Sequence, residues 1–150
     1  MAEYGPKLRS EAAFRAAMAR RGLHGAVVAS GASAEGGRRA ARELLALDPD
    51  VTAAIIMKDD SNFGLVSGLV AAGRRVPEDV SVIAIVSSDG AGAATEPVLT
   101  TLNAPGPELG RLAVESLADR LEGRTVELTH TLLPCTLHLA DSTARARVSA

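Results

Sequence analysis

The sequence predicts an α/β fold with a mainly parallel sheet flanked by helices, and three features of Val51–Ser87 carry that prediction. Val51–Met57 is an apolar run too short for a helix, ending in the polar cluster Lys58-Asp59-Asp60-Ser61-Asn62. Phe63–Ala72 then places apolar residues at helical spacing and meets Gly73, the residue type that tolerates the left-handed conformation just past a helix end. Pro77-Glu78-Asp79 turns the chain, and Val80–Val86 is short and β-branched, as a strand buried on both faces should be. Strand, helix and strand in that order form a crossover unit with parallel strands. Ligands of such open sheets sit beyond the carboxyl ends of the strands. Lys58–Asn62 and Val86–Asp89 are therefore the first places to look for function.

The remaining elements follow from local patterns. Met1–Ser10 is polar, contains Gly5-Pro6 and reads as irregular. Ser10 is placed to cap a helix with Glu11 in its first turn and Phe14, Ala17 and Met18 on one face, closed by Arg20-Arg21-Gly22. Ala26–Ala29 reads as a short strand leading into the small-residue loop Ser30–Ser33. A helix over Ala34–Leu47 turns Ala40, Ala41, Leu44 and Leu45 toward the sheet, and Asp48-Pro49-Asp50 ends it. Asp89–Pro97 is a glycine-containing loop and Val98–Leu102 an extended piece. Glu108–Leu121 is a helix with Leu109, Leu112, Ala113, Ser116, Leu117 and Leu121 on one side, stopped by Gly123. Thr129–Leu139 reads as a last strand and Asp141–Ala150 as a polar tail.

Composition limits the function classes. The 150 residues are enough for one domain, and 47% hydrophobic against 23% charged is globular. With no Trp, one Tyr and two Phe, the core must be aliphatic. The net charge of −2 and the lack of a dense Lys/Arg run argue against DNA binding by this chain alone. Cys135 is the single cysteine, so an intramolecular disulfide is excluded and a reducing compartment fits. The first residues lack the apolar core of a signal peptide, and no apolar run approaches the roughly 18 residues of a membrane span. The expectation is a cytoplasmic protein with no membrane partner.

Signals for catalysis are weak. Lys58-Asp59-Asp60 at a strand end reads as the cap of the next helix, with Asp59 or Asp60 facing its amino-terminal pole, rather than as a metal cluster. The glycines of Ser30–Gly37 and Gly90–Gly92 lack phosphate-loop or dinucleotide spacing and read as turns. Cys135 and His138, three apart on one strand, project to opposite faces, so Cys135 reads as a buried structural thiol; His130 offers no better partner, and His24 reads as a loop residue. Zinc-ligand spacing and a nucleophile elbow are both missing from the sequence. No enzyme activity, cofactor or metal is expected.

Four segments resemble the effector-binding region of the LacI/GalR family of bacterial transcription regulators. They are AEGGRRAARELLAL (Ala34–Leu47), AAIIMKDDSNFGLVSGLVAAGRRVPEDVSVIAIVSS (Ala53–Ser88), EPVLTTLNAPGPELGRLAVESLADRLEG (Glu96–Gly123) and LLPCTLHLADSTA (Leu132–Ala144), in the family's order and spacing. The resemblance implies the type I periplasmic-binding-protein-like fold, of which this chain would be part. Residues 10–95 and 129–144 would belong to the C-terminal lobe and 99–123 to a segment of the N-terminal lobe, with the DNA-binding headpiece absent. It also implies a homodimer whose small-molecule effector, bound between lobes, controls operator DNA binding through that headpiece. The alternative is a periplasmic-type solute-binding protein for sugars or related molecules.

The resemblance also assigns candidate effector-binding positions. The family's Arg ahead of the first helix falls on Ser10, with Arg9 adjacent, and its stacking aromatic falls on Ala32. The Asn of its Asn-Asp pair falls on Lys58 and the Asp on Asp59, while its two strand-end Asp positions fall on Val86 and Ser87. Paired carboxylate and amide groups suit vicinal hydroxyls because two parallel hydrogen bonds fix both distance and plane. Most of those groups are replaced here. Lys58 favours an anionic effector; a neutral effector read by other residues, and a site that has lost its effector, remain open at this stage.

Overall fold

The computed structural model describes residues 5–87, 92–93, 95–124 and 131–147. The sequence features at Gly90, at His130 and at the beginning of the 129–139 segment lie outside the described residues, as do Met1–Tyr4 and the last three residues of the tail. In chain order the elements are α1 (Gly5–Ala19), α2 (Ala34–Leu47), β1 (Ala53–Ile56), a 3-10 turn (Asp59–Ser61), α3 (Asn62–Ala71), β2 (Ser81–Val86), β3 (Thr100–Asn103), α4 (Gly106–Leu121) and β4 (Thr136–His138). One four-stranded sheet has the order β1-β2-β3-β4. β1, β2 and β3 are parallel, and β4 runs antiparallel to β3.

The crossover unit is present as the sequence implies. Ala53 pairs with Ser81 and Ile56 with Ala84, so the turn after β1 and the end of β2 emerge at the same edge of the sheet. The three glycines read as helix stops, Gly22, Gly73 and Gly123, all adopt positive φ, at 64°, 77° and 72°. Helix α2 is capped by Ser33, whose hydroxyl accepts from the Gly36 N–H at 3.0 Å.

The core lies between the α2/α3 pair and one face of the sheet. Leu65, Val66 and Leu69 of α3 share a cluster with Val82, Ala84 and Val86 of β2 and with Ile56 of β1. The two helices touch backbone to backbone: a Cβ on Gly64 would overlap the Ala34 carbonyl, and one on Gly37 would overlap the Ser61 carbonyl. Small residues at these positions let α2 lie directly on α3. The opposite face of β2 is only half-buried at Ile83 and Ile85, so the strand is covered on one face, not two. Its i, i+2 alternation shows which side the helices occupy.

Several expectations change. Residues 5–10 are helical, and Ser10 sits inside α1 instead of capping it. Ala26–Ala29 pairs with no strand; an apolar extended run without a neighbour to bond to remains a loop. The last strand is three residues long, Thr136–His138, with all three exposed. Cys135 is exposed, not buried, and His24 is exposed as a loop residue should be. In α4 no residue is buried, and Leu109, Leu117 and Leu121 face solvent.

The carboxyl-terminal segment is more structured than a polar tail. Ser142 is fully buried at the amino ends of β2 and β3. Its hydroxyl donates to the Val82 carbonyl at 2.6 Å and accepts from the Thr100 N–H at 2.8 Å, while its own carbonyl accepts from the Val82 N–H at 2.8 Å. Beyond it, the Ala144 N–H donates to the Ser81 hydroxyl at 3.0 Å, and Arg147 reaches Asp79 at 3.4 Å. This segment closes the end of the sheet opposite the β1 and β2 carboxyl termini.

Candidate functional site

At the carboxyl ends of β1, β2 and β3 lies an open hollow of about 440 Å³, lined by Ala32, Met57–Asp60, Ile85–Ser87 and Ala104. Four chain segments form it, and hydrogen bonds tie them together. Ser61 donates from its hydroxyl to the Gly31 carbonyl at 2.6 Å, joining the loop before α2 to the turn before α3. Asp59 accepts from the Ser87 hydroxyl at 3.1 Å and from the Ser87 N–H at 3.4 Å, joining that turn to the end of β2. The Ala104 N–H donates to the Val86 carbonyl at 3.0 Å, bringing in the approach to α4.

Five of the six candidate positions border this hollow: Ala32, Lys58, Asp59, Val86 and Ser87. Ser10 does not, because it lies in α1, which contributes nothing to the lining. Val86 borders the hollow, but it is 2% exposed and belongs to the core cluster, so its side chain serves packing. Asp59 is not the cap of α3. The helix begins after Ser61, whose side chain makes no capping bond, and the Asp59 carboxylate instead bonds Ser87. Lys58 is exposed and forms no ion pair among the described residues.

Sequence reasoning missed Met57, Ile85 and Ala104 as lining residues. Ile85 stands on the face of β2 opposite the core, where strand alternation was the available signal, and Met57 directly follows β1. Asn62, at the end of the Lys58–Asn62 stretch, turns inward instead: it is 1% exposed, one turn before Leu65 and Val66, and neither polar atom of its amide has a hydrogen-bond partner among the described residues.

A larger hollow, about 600 Å³, lies at the opposite end of the sheet between Val76, Thr95–Val98 and Asp141. Size does not decide between the two. The amino ends of parallel strands are not where open α/β sheets present ligand-binding loops, and this second lining contains no cation. Among the described residues no group of three or more His, Cys, Asp or Glu side chains is arranged to hold a metal ion. No helix among them is long and apolar enough to cross a membrane. At the start of α2, hydrogen bonds from Arg38 and Arg42 hold the Glu35 carboxyl below its ordinary range.

A mostly parallel sheet flanked by helices, with a hollow built from its carboxyl-end loops, is a periplasmic-binding-protein-like architecture. The family model of the periplasmic binding protein-like domain matches residues 2–143. The chain belongs to that family, in its branch of LacI-type transcriptional regulators. It is 38% identical over 72% of its length to the HTH-type transcriptional regulator CelR of Thermobifida fusca, of which the match covers 32%. It superimposes on a LacI family transcriptional regulator from Bifidobacterium animalis subsp. lactis with a TM-score of 0.87 and 30% identity, covering 97% of this chain and 53% of that one. The structure of a CelR–cellobiose complex gives a TM-score of 0.76 and 32% identity over 86% of this chain and 40% of that one. The chain thus spans about a third of the length of the first curated relative it matches.

Proposed function

We propose that this chain is the ligand-sensing part of a bacterial LacI-type regulator, and that the hollow at the carboxyl ends of β1–β3 is its half of an effector cleft. The observation that supports this most is positional. Ala32, Lys58, Asp59 and Ser87, found by resemblance in three separate segments, border one hollow at the ligand-binding end of the sheet. Cellobiose is the ligand in the CelR structure to which the chain is similar, which supports a small-molecule effector here. Residues 10–95 and 129–144 form the C-terminal lobe in this reading. The 99–123 segment, assigned to the N-terminal lobe by resemblance, begins with Thr100–Asn103 paired to β2 in this sheet; in this reading the crossing to that lobe comes after β3, and the exposed leucines of α4 are surface available to it. The whole regulator is a cytoplasmic homodimer that binds operator DNA through a headpiece outside this sequence, and effector binding shifts the population of lobe arrangements that favours or releases DNA. It has no enzymatic step.

The coding sequence upstream of Met1 tests this reading. A helix-turn-helix of about sixty residues followed by a lobe-sized segment is expected there. An apolar signal sequence in its place would transfer the protein to the solute-binding class.

A further inference from the structure

The hollow is lined by aliphatic surface and offers few groups free to read hydroxyls. Met57 is 50% exposed and Ile85 half-buried, and Ala32 and Ala104 add methyl groups beside them. No aromatic side chain is among the described lining residues. Of the polar side chains, Asp59 and Ser87 are bonded to each other. Asp60 is exposed in the turn that opens α3, on the side of the helix's positive pole. Lys58 is the one cation among the described lining residues, exposed and without an ion pair among the described residues. A polyol entering this hollow would lose water from several hydroxyls and find too few partners to replace it.

Resting on the reading of the hollow as the effector site, we propose that the effector is a small amphipathic anion. Its apolar body lies over Met57 and Ile85, and a single carboxylate or phosphate faces Lys58.

Butanoate, hexanoate and octanoate, titrated into the isotope-labelled chain while backbone amide shifts are followed, test the proposal. Each methylene placed on the apolar floor should tighten binding about fourfold until the chain outgrows the hollow. Hexanol and hexylamine should bind more weakly than hexanoate, by about two- to fivefold for an exposed ion pair, and hexyl phosphate shows which head group is preferred. Lys58→Met, at an exposed position, should abolish the preference for hexanoate over hexanol and keep the gain per methylene. If Lys58→Met leaves that preference intact, the carboxylates are merely adhering to apolar surface and the proposal fails. If cellobiose shifts the amides of Lys58–Asp60 and Ile85–Ser87 and the carboxylate series does not, the ligand class is wrong while the site stands. Shifts confined to other residues for every probe would reject the site as well.

Discussion

Replacing Ser142 by Ala removes one oxygen atom and should destabilise the domain more than any exposed substitution. The residue is fully buried, and its hydroxyl bonds the Thr100 N–H at 2.8 Å and the Val82 carbonyl at 2.6 Å. Alanine keeps the backbone bond from the Val82 N–H but leaves the Thr100 donor, on a residue 1% exposed, without its partner. A buried group deprived of its partner costs about 1–3 kcal/mol, and loss of the bond to Val82 adds about 1 kcal/mol. The sum is about 2–4 kcal/mol. With a urea dependence of about 2 kcal/mol per molar, the midpoint should fall by about 1–2 M, and Tm should fall by roughly 5–15 °C for a chain of this size. Ser67→Ala is the control, since its hydroxyl bonds only the local Gly64 carbonyl at 3.2 Å within α3; it should change stability by under about 0.5 kcal/mol. Urea unfolding of the two variants decides the matter. A Ser142→Ala midpoint equal to that of Ser67→Ala would refute the role assigned to the carboxyl-terminal segment.

Three further outcomes are expected. Gly64→Ala drives a methyl group into the Ala34 carbonyl, so α2 and α3 must separate; a loss of about 3 kcal/mol or more in urea unfolding is expected. Asn62→Leu replaces a buried amide with no hydrogen-bond partner by an apolar side chain of similar shape and should stabilise the chain by about 1 kcal/mol, read as a higher urea midpoint. Asp79 is held well below the ordinary carboxylate range, first by the side-chain hydrogen bonds from Arg75 and then by the Arg75 N–H. Because its folded pKa is depressed, its stabilising contribution is complete above the unfolded value near pH 4 and is lost as pH falls toward the folded one. Asp79→Asn should therefore unfold more readily than the parent chain at pH 7, and the two melting temperatures should begin to converge only as pH falls below about 4.

The elements carried by strong local patterns were legible from sequence. Helix α2 has its predicted bounds, β1 and β2 lie within their predicted runs, and Gly22, Gly73 and Gly123 stop the chain as their type suggests. What was not legible depended on partners distant in the chain. Ala26–Ala29 has the composition of a strand, but a strand also requires a neighbouring ladder, and none is present beside it among the described residues. Asp59 could cap its own helix or bond another loop with equal local justification; the register of β1 with β2 brings Ser87 beside it and decides the choice. Val86 looked like a cleft position because it aligned with one, yet the period-two alternation of Val82, Ala84 and Val86 already assigned its side chain to the core. Ser142 left no local signal, since a serine near a polar carboxyl terminus reads as solvated until the unpaired amino ends of β2 and β3 are seen beside it.

The central claim is that the hollow at the strand ends holds the small molecule that the regulator senses. Titration of the isotope-labelled chain with cellobiose, lactose and hexanoate in turn, with every amide followed, tests this most directly. Saturable shifts centred on Gly31–Ser33, Met57–Asp60, Ile85–Ser87 and Ala104, weakened by Lys58→Ala for an anionic probe, are the predicted result. Saturable shifts centred instead on Val76, Thr95–Val98 and Asp141 would place the ligand at the other end of the sheet and contradict the account.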